Sequence, residues 1–423
     1  EKMAIHVVQS GDSLWRISQL YNVPIPTLME INGLESPLLV PGLSLYIPAN
    51  TLTNRFYEIS AGDTLWSIAR RYQTTVEAIL AANPQINVYF LQIGQRITVP
   101  TPLKMNMTTL GFFVPYSIPF FLSVFDQFAN QLTYLAVVSY SFTEEGRAYV
   151  DLPDDQIPER ARQLNVVPLL MIRNITAGGV FSAELVGTVL ENPTFRGNLI
   201  RSLMNFVEER GYGGISIDFE FIPPPRRNDF VTFLTELKTA LGDLVLHVNV
   251  HAKTVDIPTN PIIGGHDYRG IAEVSDIVAV MTMDYGYPGG PPDPVSPIWW
   301  VEEVIRYSLT EIDRNKLQIA LPMYGYDWIL GTNVTRGWSL NAAQNLAINS
   351  GAVINFDPTA MSPNFLYWVG AEGHIVWYED VRSYEEKYKL IDFYGLLGAT
   401  YWETRLPFPQ NWDYMDQHIN VQS

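Results

Sequence analysis

Apolar and polar positions alternate most sharply in Gly213-Gly214-Ile215-Ser216-Ile217-Asp218-Phe219-Glu220. Successive side chains of a strand point to opposite faces, so Ile215, Ile217 and Phe219 share one face while Ser216, Asp218 and Glu220 share the other. On both sides the spacing becomes helical, over 195–210 and again over 228–241 after Pro223-Pro224-Pro225. Helix, strand, loop, helix is the rhythm of a parallel α/β fold. From Leu110 onward, strand-like runs fall at 111–113, 135–140, 167–172, 214–220, 246–250, 277–285, 318–324 and 398–402, with helical spacing between them. Eight such runs predict a (β/α)8 TIM barrel. The longer stretch 328–382, between the seventh and eighth runs, predicts a small α/β insertion that walls one side of a cleft.

The first hundred residues follow a different pattern, and they repeat. Ser10-Gly11-Asp12-Ser13-Leu14-Trp15-Arg16-Ile17 returns fifty-one residues later as Ala61-Gly62-Asp63-Thr64-Leu65-Trp66-Ser67-Ile68. Each copy continues through Tyr21 or Tyr72, Asn32 or Asn83, and Gly42 or Gly94, and closes at Ile47-Pro48 or Val99-Pro100. A short strand, a Gly-Asp whose Asp is expected to cap the next helix, a second helix and a closing strand make each copy a βααβ unit. The chain therefore divides into units at 1–50 and 51–102, followed by the barrel at 103–423.

The inward face of a barrel is normally filled by branched apolar residues. A line of Ser216, Asp218 and Glu220 on that face is costly unless it does chemistry. Composition narrows the chemistry. The net charge of −17 opposes a nucleic-acid partner or an anionic membrane surface, both of which call for basic patches. No window is long and apolar enough for membrane insertion. With no cysteine there are no disulfides or thiolate metal sites. His247, His251 and His266 lack tight ligand spacing, so no metal and no cofactor is expected. The 10 Trp, 23 Tyr and 20 Phe suit either large cores or the stacking of sugar rings on aromatic faces. No leader-like stretch opens the chain at Glu1, as is also expected of a processed secreted protein.

The strand 213–220 resembles the D-x-x-D-x-D-x-E signature on the fourth barrel strand of glycoside hydrolase family 18, the chitinase-like enzymes. Gly213, Ser216, Asp218 and Glu220 stand at its four positions, so the last two carboxylates match and the first two do not. The N-terminal repeats resemble LysM modules, which bind glycans containing N-acetylglucosamine, such as peptidoglycan and chitin. Further segments resemble the bacterial spore-germination and cortex-lytic N-acetylglucosaminidase branch, in which two LysM modules precede the barrel. These are His266-Asp267-Tyr268, 286–292, Trp377-Tyr378-Glu379-Asp380 and 407–412.

The resemblance implies a role for each matching residue. Glu220 is the expected general acid and Asp218 its partner in a retaining reaction in which the substrate's own acetamido group is the nucleophile. Asn174, Met283, Asp284, Tyr285, Tyr287, Tyr324, Tyr326, Trp328 and Trp402 are the expected substrate-binding residues, with Trp402 as floor under the cleaved sugar. Met283 stands where the family carries a tyrosine. Tyr285, on the same face if the sixth strand runs that far, and Tyr287 are the candidates to replace its hydroxyl. The implied activity is hydrolysis of N-acetylglucosamine-containing peptidoglycan of spore cortex or its fragments, with the LysM modules as anchors. A silent glycan-binding lectin and a chitinase are the alternatives. A monomer acting at the cell wall, in spore cortex or coat, or outside the cell is expected.

Overall fold

Eight parallel strands hydrogen-bond in a closed ring in the computed structural model, which describes residues 4–48 and 52–423. They are β1 (Met105–Phe113), β2 (Tyr134–Phe142), β3 (Val167–Arg173), β4 (Gly214–Asp218), β5 (Val245–His251), β6 (Ile277–Met281), β7 (Leu317–Pro322) and β8 (Gly398–Trp402). Closure is made by β8 pairing with β1, from Gly398 against Thr108 to Tyr401 against Gly111. The expected TIM barrel is therefore the observed one. Alternation sorts the side chains: Leu110, Phe112, Ala136, Val138, Leu169 and Met171 fill the interior, while Leu135, Val137, Leu170, Ile172, Ile215 and Ile217 face the surrounding helices.

Local chemistry places the helices that flank β4. The first spans Pro193–Arg210, where Asn192 caps the start by accepting from the backbone N–H of Thr194 and Phe195. Pro193 occupies the first turn, where its missing N–H is no loss, and Gly211 stops the helix at φ 70°. The second, Arg227–Leu241, buries Phe230 and Phe233 against Phe219, the residue that follows β4. This packing is what points Asp218 inward.

Three strands end earlier than their apolar runs. The fourth stops at Asp218, and three residues on Phe221 takes a left-handed φ of 58°. The sixth stops at Met281 rather than reaching 285; Met283 N–H turns back to the Met281 carbonyl, and Asp284 sits at φ 59°. The seventh stops at Pro322, whose partner is Trp402. Tyr324 then opens a separate antiparallel sheet of five strands, running through Trp377 with the helix Leu340–Asn349 beside it. That sheet, with its helix, is the small α/β unit inserted between β7 and β8.

In both N-terminal repeats the helix cap lies one residue beyond the expected aspartate. Ser13 and Thr64 are the N-caps, accepting from Arg16 and Ser67 N–H. Asp12 instead closes the preceding turn by accepting from Gln9 N–H and reaching His6, while Asp63 does the same with Ser60 N–H and the Tyr57 hydroxyl. The two asparagines do equivalent work. Asn32 joins its helix to the closing strand through Leu28 O and both backbone groups of Tyr46. Asn83 does so through Ile79 O and both backbone groups of Thr98.

The repeats differ in how they meet the barrel. Apolar residues of the first, among them Leu28, Leu45 and Tyr46, belong to the same core as the barrel and its helices. Gln410 donates to Asn32 Oδ1 and Ser44 O, Gln344 to Asn32 O, and Asn345 to Gly33 O. The second repeat keeps a core of its own around Ile68, Ile79 and Val99. It is tied on by bidentate ion pairs, Arg55 to Asp392 and Arg96 to Glu302. A chain cut at Lys104 would expose apolar barrel surface that the first repeat covers.

The matched glycines test this difference. Gly42 (φ 87°) and Gly94 (φ 86°) occupy equivalent turns, so alanine strains both backbones by about 1–2 kcal/mol. A Cβ on Gly42 would lie 1.8 Å from the Ile354 carbonyl oxygen, whereas one on Gly94 meets nothing within 4 Å. Thermal unfolding should show a clearly larger loss of Tm for Gly42→Ala than for Gly94→Ala. Equal losses would mean that the contact with Ile354 is not made in solution.

Candidate active site

The C-terminal ends of the strands open into a cleft of about 950 Å³. Asp218, the last residue of β4, is 4% exposed, and Glu220 follows two residues on at the cleft wall. The Glu220 backbone is clamped from both sides by Asn174, whose Nδ2 donates to Glu220 O (2.8 Å) and whose Oδ1 accepts from Glu220 N–H (2.9 Å). Arg173, the residue before that asparagine, is the register partner of Asp218 across β3 and β4 and also lines the cleft.

Burial decides the protonation of the pair. Loss of water disfavours a carboxylate, so it pushes both groups up; the Asp218 charge pushes Glu220 further, and their mutual hydrogen bond holds Asp218 lower. The nearby Arg173 guanidinium opposes the rise in both. Of the two, Glu220 is driven further toward its protonated form, because the Asp218 charge adds to its own burial.

Beneath the pair, the position next inward on β4 is uncharged. Ser216 Oγ lies 2.9 Å from His247 Nδ1 and accepts from Asn249 Nδ2 at 3.1 Å. Burial drives the His247 pKa down to about 3, so this is a neutral layer.

The opposite wall comes from the loop after β6 and from the inserted sheet. Asp284 is an exposed residue whose Oδ1 accepts from the hydroxyls of Tyr324 (2.5 Å) and Tyr326 (2.8 Å). Desolvation of its carboxyl raises its pKa while the two phenols hold it down. Met283, Tyr287 and Trp402 line the same space, Trp402 packed on Phe112 of β1. Among the described residues no cluster of His, Cys, Asp and Glu is arranged to hold a metal.

The geometry now meets its relatives. The model for glycosyl hydrolases family 18 matches residues 175–406, and that for the LysM domain matches 6–48 and 57–100. The chain belongs to glycosyl hydrolases family 18. It is a family 18 glycosidase with two LysM domains, and these modules imply glycan binding. It is 33% identical over 432 residues to the cortical fragment-lytic enzyme of Bacillus subtilis, covering 99% of both chains. Two crystal structures of spore cortex-lytic enzyme SleL align with 99% of this chain and 98% of theirs. The Bacillus megaterium protein has a TM-score of 0.83 at 30% identity, and the Bacillus cereus protein 0.85 at 29%.

Of the residues anticipated for the family 18 site, Asp218, Glu220, Met283, Asp284, Tyr287, Tyr324, Tyr326 and Trp402 line one cleft. Asn174 does not; it is fully buried and acts on the Glu220 backbone. Trp328 is 1% exposed and backs Tyr326 edge-on. Tyr285 is turned away, packed between Trp299 and Trp300, because the chain leaves the strand at Met281 and alternation no longer applies. The hydroxyls nearest Asp284 come instead from Tyr324 and Tyr326 of the inserted sheet. Arg173 and His251 line the cleft unanticipated; their signal was a charged or titratable residue closing the third and fifth apolar runs.

Removing the phenols should therefore register on Asp284. Donors to a carboxylate favour its charged form, so the Tyr324→Phe, Tyr326→Phe double variant should raise the Asp284 pKa further. Carbon-detected NMR titration measures it. Tyr285→Phe should leave it unmoved, and a shift there of similar size would contradict the observed turn at Asp284.

Proposed function

We propose that this family 18 glycosidase hydrolyses the N-acetylglucosamine-containing glycan of peptidoglycan, in spore cortex or fragments of it, by a retaining reaction that uses the substrate's acetamido group. The enclosed pair of Asp218 and Glu220 carries the reading. Glu220 protonates the glycosidic oxygen while the acetamido carbonyl attacks the anomeric carbon and forms an oxazolinium ion. Asp218 orients the acetamido N–H and offsets the growing positive charge. Glu220, now a carboxylate, takes a proton from water as the ring is opened. Tyr324 and Tyr326 each give their one phenolic proton to Asp284 and so fix that carboxyl in the cleft wall, and Trp402 floors the cleaved sugar.

Nearly full-length similarity to proteins named for cortex and cortical fragments favours peptidoglycan over chitin. The LysM domains would hold the enzyme on the same polymer, which supports work at the cell wall or spore cortex. A silent lectin would have no use for a desolvated acid pair, whose burial costs stability.

Two measurements test this. Glu220→Gln keeps the shape but holds no transferable proton, so turnover should fall about 10²–10⁴-fold or more with glycan binding retained; a rate near wild type would remove Glu220 from its role. Mass spectrometry of products from spore cortex fragments, vegetative peptidoglycan and chitin oligomers should show new N-acetylglucosamine reducing ends from cortex material. Products from chitin alone would overturn the substrate.

A further inference from the structure

His251 closes β5, and its Nε2 lies 3.5 Å from Glu220 Oε1. That nitrogen is buried and makes no hydrogen bond in the resting structure, the Glu220 oxygen being at the outer limit of reach. Buried polar atoms are rarely left unsatisfied, so the carboxyl of Glu220 is the group it serves. The ring is held between Phe221 (centroids 5.4 Å apart) and His266 (5.3 Å, planes 27° apart).

His266 fixes the spacing of the two strand ends. Its Nδ1 accepts from His251 N–H at 3.0 Å, so its proton lies on Nε2, which donates to the Phe219 carbonyl at 2.9 Å. One buried imidazole thus links the backbone beside Glu220 to the backbone of His251. Both of its nitrogens are committed in the neutral form, and burial lowers its pKa.

The charges around this contact come from four elements. Asp218 on β4 and Arg173 on β3 face Glu220, and Asp284 faces it from the loop after β6. Lys253, just past β5, is buried with its ammonium on Asp256 and the His266 carbonyl. Burial first, then the Lys253 charge, keeps His251 uncharged, down to about pH 4.

We propose that His251 is a positioning residue for the general acid. Its neutral Nε2–H faces Glu220 Oε1 and leaves the acid's proton on the other oxygen, the one turned to Asp218 and the substrate. The bond closes when Glu220 has given up that proton, because the acceptor then carries charge. His251 thereby stabilises the carboxylate that the first step creates and the second step uses, without touching the sugar itself.

This rests on Glu220 being the acid. The experiment compares wild type, His251→Phe, His251→Gln and Glu220→Gln on a soluble substrate that the wild type cleaves. Phenylalanine keeps the ring and removes the donor; glutamine returns an N–H at similar reach. His251→Phe should lower kcat on the order of 10- to 100-fold with KM little changed. It should also move the basic limb of the pH profile upward, because the Glu220 carboxylate has lost a stabilising donor. His251→Gln should recover part of both. A kcat within twofold of wild type in His251→Phe overturns the proposal. So does a fall in kcat with the basic limb unmoved and no recovery by glutamine, which is the result of packing alone. If Glu220→Gln is itself active, the acid assignment fails, whatever His251 does.

Discussion

Everything in the cleft is arranged around two carboxyls that have been taken out of water two residues apart. Ionising both at once would be expensive in so enclosed a place, so burial pushes both toward the protonated form while the Arg173 guanidinium opposes the rise. The direction of the proton follows from position. Asp218 sits deeper and next to Arg173 on the neighbouring strand; Glu220 feels the Asp218 charge and is pushed to hold the proton. The neutral layer of Ser216, His247 and Asn249 beneath them adds no further negative charge to the barrel floor.

Rigid placement of Glu220 comes from uncharged neighbours acting on backbone. Asn174 takes both backbone groups of Glu220, and His266 ties Phe219 to His251. A residue just past the end of a strand has lost its ladder hydrogen bonds, so these side chains replace them. The opposite wall is built separately. Asp284 leaves its strand in a left-handed turn and is met by two tyrosines from a sheet inserted after β7.

The two N-terminal modules show that one sequence pattern can be used in two ways. The first shares its core with the barrel, so its orientation toward the cleft is set by packing. The second holds its own core and meets the barrel through the ion pairs of Arg55 and Arg96 and through Phe56, which packs edge-on against Phe393. A glycan held by the first module is therefore held at a fixed place relative to the acid pair.

Periodicity and composition, read along the chain, were enough for the architecture. Alternation over 213–220 put Ser216, Asp218 and Glu220 on one face, eight runs in helical surroundings implied a closed barrel, and the Gly-Asp repeat implied paired modules, because all three depend on neighbours close in sequence. Strand ends were not legible. Tyr285 shares a face with Met283 only in a strand that continues to 285, and the strand ends at Met281, with Asp284 at a positive φ. Likewise Asp12 and Asp63 looked like helix caps, but the hydroxyl one residue later had the better reach to the helix N–H. Tertiary structure alone brought together Asp284 with Tyr324 and Tyr326, Asn174 with Glu220, and His251 with both Glu220 and His266. These contacts join residues 15 to 46 positions apart. Their distances are set by closure of the barrel and the docking of an inserted sheet, which no local pattern encodes.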